Sequence, residues 1–182
     1  MGHRDIRAKV FLRNALKRLE ETAGGNYDFI FIDCPPNLYL ATQNGLFASS
    51  YYVVVALAEY LSTVGLAHIQ KSITGIFDQA NQVLASLSGG SVAAPVLIGI
   101  IFNRLRDEGH GTRNEENIIA RIRAAYGDVV FTNFVSQSPQ IAGRAEEKVP
   151  IAFSGYAADL RYESQMRKVA EECYDRITRP HP

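Results

Sequence analysis

The stretch Tyr27–Pro36, YDFIFIDCPP, constrains this chain more than any other. Phe29, Ile30, Phe31 and Ile32 run without a polar interruption into Asp33, and Cys34 and two prolines follow. An apolar run of this kind suits a strand buried on both faces, as in a parallel sheet. Pro35 and Pro36 stop the strand and stiffen the loop after it. An acid at the carboxyl end of such a strand, here Asp33, sits where open α/β sheets bind ligands. In phosphate-binding α/β proteins an acid so placed holds Mg²⁺, usually through a water. The plain alternative is that Asp33 only caps a loop.

The rest of the chain alternates strands with helices. Ala8, Phe11, Leu12, Ala15, Leu16 and Leu19 recur at helical spacing and predict an amphipathic helix over residues 6–22, ended by Gly24 and Gly25. A short helix over residues 40–48 leads to a strand over 52–56. Ile69, Ile73, Ile76, Phe77, Ala80, Val83, Leu84 and Leu87 mark a long helix, followed by a turn at 88–91. Residues 95–102 form a third strand ending at Asn103 and Arg104, and 106–111 a polar loop. Thr112 and Glu115 have capping-box spacing and open a helix carrying Ile118, Ile119, Ile122 and Tyr126. A short strand is expected over 129–134, then an irregular segment over 136–150 with a helical turn. A final helix puts Tyr162, Met166, Val169, Ala170, Cys173 and Ile177 on one face. The alternation predicts an α/β fold with a mostly parallel sheet.

Composition narrows the classes. The 182 residues suit one domain with a real core. Acids and bases balance at 19 each, so the summed charge gives no field that attracts DNA or an anionic membrane. Cys34 and Cys173 lie far apart, which fits reduced thiols in a cytoplasmic protein. No paired Cys/His spacing suggests zinc. No apolar run reaches membrane-spanning length and no signal-peptide pattern opens the chain. His3, His68, His110 and His181 are scattered, with no triad-like neighbours in sequence.

The residues from Tyr27 to Leu66 resemble the ParA/MinD family of deviant-Walker ATPases, and its ParA branch most. The resemblance rests on the Asp-x-Pro-Pro turn, Thr42 and Asn44 at the next helix, the apolar strand that follows, and the Tyr/Ser-rich Gly-Leu helix entry. More loosely it extends from about Leu12 to Ile177. It implies a three-layer α/β fold of the P-loop NTPase type, with ATP and Mg²⁺ as cofactors in the intact family. Asp33 then matches the Mg²⁺-associated acid. Asn103 resembles the residue whose amide reads the adenine edge, with a turn cap as the alternative. An amide suits that task because donor and acceptor sit side by side. Arg104 either stacks on a base or is solvated. Residues 136–150 resemble the loop that closes over the base; Pro139 and Pro150 match its character, while Ser136-Gln137-Ser138 replaces its usual Pro-Arg run. Arg144 faces DNA, a partner or, as the better expectation, solvent. Glu59 and Tyr60 occupy another strand end, near the family's dimer and nucleotide region, with Tyr60 expected half-buried and Glu59 a helix-start acid.

The family's Walker A loop, a variant of G-x-x-x-x-G-K-[ST], has no counterpart in this sequence. Neither Gly24-Gly25 nor Gly89-Gly90 is followed by lysine with Ser or Thr. The expectation is therefore the C-terminal portion of a ParA-type fold with an incomplete sheet. In the family the Walker A strand lies between the strand ending at Asp33 and the strand over 52–56. Without it, either residues 29–32 pair directly with 52–55, or another chain fills the gap as in a swapped dimer. The implied function is ATP-dependent plasmid or chromosome partition, with hydrolysis by this chain alone not expected. The implied partners are a second copy, a partition protein and non-specific DNA. The ending Arg179-Pro180-His181-Pro182 cannot extend a membrane-binding helix of the MinD kind. The alternatives are a non-catalytic ParA-like module that binds a partner protein, and an unrelated α/β binding protein.

Overall fold

The computed structural model describes residues 3–23, 27–87, 90–106 and 112–179. The glycine pair at 24–25, most of the polar loop at 107–111, His110, the chain's last three residues and the start of the 88–91 turn lie outside them. The fold is α/β, and its elements in order are α1 (His3–Lys9), α2 (Phe11–Ala23), α3 (Leu40–Ala48), β1 (Tyr51–Ala56), α4 (Tyr60–Leu87), β2 (Val96–Leu105), α5 (Arg113–Tyr126), β3 (Val135–Ser136), α6 (Pro139–Glu146) and α7 (Leu160–Thr178). The chain forms two compact units, one of Met1–Tyr52 with His68–Val96, the other of Val53–Ala67 with Leu97–Pro182.

The first unit is built on α3 and the later part of α4. Leu46, Phe47, Ile73, Phe77 and Ala80 form its buried core, flanked by Val10, Leu38, Tyr52, Ile69, Ile76 and Val92. The Phe47 and Phe77 rings stack at 4.3 Å. Asn81 closes the unit by bonding both backbone groups of Val92, accepting its N–H at 2.8 Å and donating to its carbonyl at 3.1 Å. The helix expected over residues 6–22 is divided at Val10. Asn44 holds that joint: its amide donates to the Ala8 carbonyl (2.8 Å) and its oxygen accepts the Leu12 N–H (3.2 Å).

The strand expected at residues 29–33 is not part of the sheet. The segment keeps an extended alternation, since Phe29 and Phe31 share a side with ring centroids 6.4 Å apart. No strand is assigned over residues 27–35, and Phe31 is 82% exposed. A strand buried on both faces needs a neighbour on its backbone edge, and none of the described strands takes that place. What fixes the segment is α3. The Thr42 hydroxyl donates to the Pro35 carbonyl at 3.3 Å, and a Cβ on Gly45 would lie 2.8 Å from Cys34 Sγ and 3.2 Å from Ile32 Cγ2. The glycine at 45 is thus what lets the loop approach the helix.

The second unit holds a three-stranded sheet in the order β1-β2-β3, with β2 and β3 parallel. Ala56, Ala58, Leu66, Ile100, Phe102, Leu105, Ile118, Ile122 and Val130 form its core. The strand expected at 129–134 is replaced by a 3₁₀ turn at Gly127–Val129 and a single parallel bridge from Val130 to Ile100. The ladder resumes only at β3. β2 runs past the expected end to Leu105, because an irregularity after Asn103 lets Leu105 pair with Ser136. The Thr112–Glu115 capping box forms as expected: Thr112 Oγ1 accepts the Glu115 N–H, and Glu115 Oε2 accepts the Thr112 N–H at 2.6 Å. Thr112→Ala should cost about 1 kcal/mol, read as a lowered urea midpoint for this unit without a changed slope.

Candidate functional site

At the carboxyl end of β2, Asn103 pairs in register with Val135 and Leu105 with Ser136. Between them Arg104 has φ 58°, a left-handed conformation unusual for a non-glycine residue. Asn103 Oδ1 accepts the Arg104 N–H at 2.8 Å and so supports that turn. Its Nδ2 makes no hydrogen bond among the described residues. The amide thus supports the turn through its oxygen and keeps its donor available. Arg104 is exposed.

The chain then enters the segment expected to close over a base. Gln137 N–H donates to the Leu105 carbonyl at 2.8 Å, which extends the register one step past β3. Buried Ser136 is held twice by Gln165 on α7: its N–H donates to Gln165 Oε1 (3.0 Å) and its Oγ accepts Gln165 Nε2 (2.7 Å). Ser138 Oγ accepts the Ile141 N–H at 3.3 Å and caps α6, and Pro139 is the first helical residue, where a missing N–H costs nothing. Pro139 is exposed. The single helical turn expected here is an eight-residue helix.

Arg144 does not face solvent as expected. Its Nε donates to Asp159 Oδ2 at 2.8 Å, its Nη1 to Glu147 Oε2 at 2.6 Å, and its guanidinium lies 3.9 Å from the centre of the Tyr156 ring. Bonds to Asp159 and then Glu147 hold Arg144 above its ordinary pKa. The Ser154 hydroxyl first, and Arg144 next, hold the Asp159 carboxyl below the usual range. Ser154 favours the charge without full hydrogen-bond geometry, since buried Asp159 Oδ1 lacks a hydrogen-bond partner among the described residues. Tyr60 is 63% exposed rather than half-buried, because it starts α4 with its ring outside the core.

Asp33 belongs to the first unit. It is exposed, between Ile32 and the Cys34-Pro35-Pro36 loop. Burial and then the neighbouring Asp33 charge push the Cys34 thiol up, which makes it a poor nucleophile. Among the described residues no cluster of three or more His, Cys, Asp or Glu could hold a metal. One exposed carboxylate fits Mg²⁺ only where phosphate oxygens and water supply the other ligands. Asp33 suits that restricted role, and the sequence offers no glycine-rich lysine loop to hold the phosphates.

Sequence reasoning missed the most connected group of the second unit. Glu172 on α7 accepts the Thr132 and Asn133 N–H groups (each 2.9 Å) and Asn133 Nδ2 (2.8 Å). Arg176, one turn on, donates to Glu172 (2.8 Å) and to the carbonyls of Ile98 (2.9 Å), Val129 and Val130 (each 3.2 Å). Its guanidinium also covers the Phe131 ring at 4.2 Å. These side chains replace the ladder that residues 129–134 do not form. The i,i+4 Glu–Arg spacing was the one signal available, and that spacing is common on solvated helix faces.

Comparison with known proteins adds the following. A family model described as an AAA domain matches residues 3–86. The chromosome-partitioning ATPase Soj of Treponema pallidum (strain Nichols) is 26% identical over 164 residues, covering 90% of this chain and 57% of that protein. The sporulation initiation inhibitor protein Soj of Bacillus subtilis (strain 168) is 43% identical over 58 residues, covering 32% of this chain and 23% of its own. Among solved structures, a Cyanothece McdA–ATP complex superposes with a TM-score of 0.59 at 18% identity, covering 90% of this chain and 58% of that one. The chain therefore spans little more than half the length of the first of these relatives.

Proposed function

We infer that this chain, a member of the ParA/MinD family of deviant-Walker ATPases, serves DNA partition of the ParA type and contributes the base-side and metal-side strand ends of a nucleotide site. The observation that carries this reading is the Asp33-Cys34-Pro35-Pro36 turn held on α3 by Thr42, in a chain similar along 90% of its length to a chromosome-partitioning ATPase. ATP would supply the phosphates, and Mg²⁺ the charge that offsets them. Of this chain's residues, Asp33 would hold the metal through one carboxylate. The Asn103 amide would meet the adenine edge with its available Nδ2, and Pro139 would border the base. Phosphoryl transfer depends on positioning and charge stabilisation, and no lysine cradle exists in this sequence. Hydrolysis by the chain alone is therefore not part of the proposal.

The proposed partners are a second copy, a partition protein that stimulates the intact ATPase, and DNA bound without sequence preference. The proposed setting is the cytoplasm. Among the described residues, no helix is long and apolar enough to cross a membrane. The non-catalytic alternative, a ParA-like module binding a partner protein, keeps the same fold without nucleotide. Deleting the gene and scoring daughter cells that lack the plasmid or chromosome tests the partition reading. Loss well above the random-segregation background, restored by the wild-type gene, is expected. Unchanged inheritance would overturn it.

A further inference from the structure

We propose that the groove between the α1–α2 joint and α3 docks an acidic, amphipathic helical segment of another protein. A wedge makes this groove. Helical bonds run across the joint from the Val10 N–H to the Ile6 carbonyl and from the Asn14 N–H to the Val10 carbonyl, each at 3.1 Å. At the step between them, where a helix would bond the Leu12 N–H to the Ala8 carbonyl, the Asn44 amide engages both groups instead (3.2 and 2.8 Å). A side chain inserted in this way bends a helix. Ala8, Phe11, Leu12, Leu40, Ala41 and Asn44 line the resulting cavity of about 710 Å³. Apart from Asn44 the lining is apolar, and Phe11 and Leu40 are 72% and 49% exposed. All six residues belong to the first compact unit.

Charge identifies the kind of occupant. Residues 6–19 carry Arg7, Lys9, Arg13, Lys17 and Arg18 and no Asp or Glu, whereas acids and bases balance over the whole sequence. The α3 wall, residues 38–47, has no charged side chain. Arg7 and Arg18 stand four positions before and seven after Phe11, on its face of the helix, and both are exposed. Neither has an ion-pair partner among the described residues. An apolar trough flanked by free cations complements a helix with an apolar stripe and a carboxylate-bearing face. Concavity favours a peptide over a membrane, because a bilayer meets the flat apolar face of a basic helix rather than a groove. DNA is held through its phosphates and gains little from Phe11 and Leu40. The docking needs neither nucleotide nor a partition protein, so it stands apart from the partition reading.

The test is fluorescence anisotropy of the full chain with a labelled synthetic helix of about 18 residues, with Leu and Phe at i, i+3, i+4 and i+7 and Glu elsewhere. A scrambled peptide of the same composition and phosphatidylglycerol vesicles are run beside it. Saturable binding is expected, with a Kd below ~100 µM and at least tenfold tighter than for the scrambled peptide. Phe11→Ala should weaken it at least tenfold, and so should Arg7→Glu combined with Arg18→Glu. These side chains are exposed, so the native circular dichroism should persist in both variants. No binding at millimolar peptide would overturn the proposal. So would equal binding of the scrambled peptide, or binding that survives either change. Vesicle binding without peptide binding would also overturn it and make this face a membrane surface.

Discussion

Gly99→Ala is expected to destabilise the sheet-bearing unit by about 3 kcal/mol, the upper end of the usual overpacking range. Gly99 is buried on β2, and a Cβ there would lie 1.8 Å from Phe131 Cε2, 2.4 Å from Cδ2 and 3.0 Å from Cζ. Phe131 is 1% exposed, so its ring has no free space into which to turn. The same ring supports the Arg176 guanidinium. Moving it disturbs the link between α7 and the 129–133 segment as well as the core. The check is urea denaturation followed by two probes, because two compact units need not unfold together. A second change, Phe131→Leu in the Gly99→Ala background, should recover part of the loss, whereas in the wild-type background it should only destabilise. Equal effects in both backgrounds would contradict a direct clash.

Arg176→Ala is expected to cost about 2–3 kcal/mol, as when hydrogen bonds from a charged group in a partly buried site are lost. Both Arg176 and Glu172 keep only about one sixth of their side-chain surface exposed, at 16% and 15%. Removing the guanidinium leaves Glu172 without its cation and removes the donor to three carbonyls. The pair also sets a pH dependence. Burial alone would raise the Glu172 pKa, but the Asn133 and Thr132 N–H groups, Arg176 and the Asn133 side chain outweigh it and hold it below the ordinary 4.5. A carboxyl depressed in the folded state stabilises the fold above its ordinary value. That stability fades as pH falls from 4.5 through the lower folded value. Glu172→Gln should flatten the stability profile below pH 4.5. It should also lower stability at neutral pH. An unchanged acid limb would show that other carboxyls govern it.

The sequence made the helices legible because each carries its own signal. The capping box at Thr112 and Glu115 and the long apolar stripe of α4 depend on residues a few positions apart. The α/β alternation followed from them. The strand at residues 29–33 shows the limit of such signals. Its alternation is local and is present, but its pairing depends on a neighbouring strand that local pattern does not reveal. Residues 129–134 failed for a related reason: the extended backbone is bonded there by side chains of α7, some 40 positions away. At the candidate site, sequence and resemblance pointed to Asn103 and Pro139. The left-handed turn at Arg104 and the buried tie of Arg144 to Asp159 required coordinates. A sequence pattern does not distinguish an arginine that is solvated from one that closes a loop.

The proposed function requires that Asp33 meet Mg²⁺ and that Asn103 meet the adenine of a bound nucleotide. Titration calorimetry of the purified chain with Mg-ATP, and with ADP beside it, is the decisive test. Saturable but weak binding is expected, with a Kd between roughly 10 µM and 1 mM, because Asn103 would meet the base while the phosphates lack a lysine cradle. Asn103→Ala should weaken ATP and ADP alike, and Asp33→Ala should remove the dependence on Mg²⁺. No heat of binding at millimolar nucleotide, with the chain folded by circular dichroism, would contradict nucleotide binding and favour the partner-binding module.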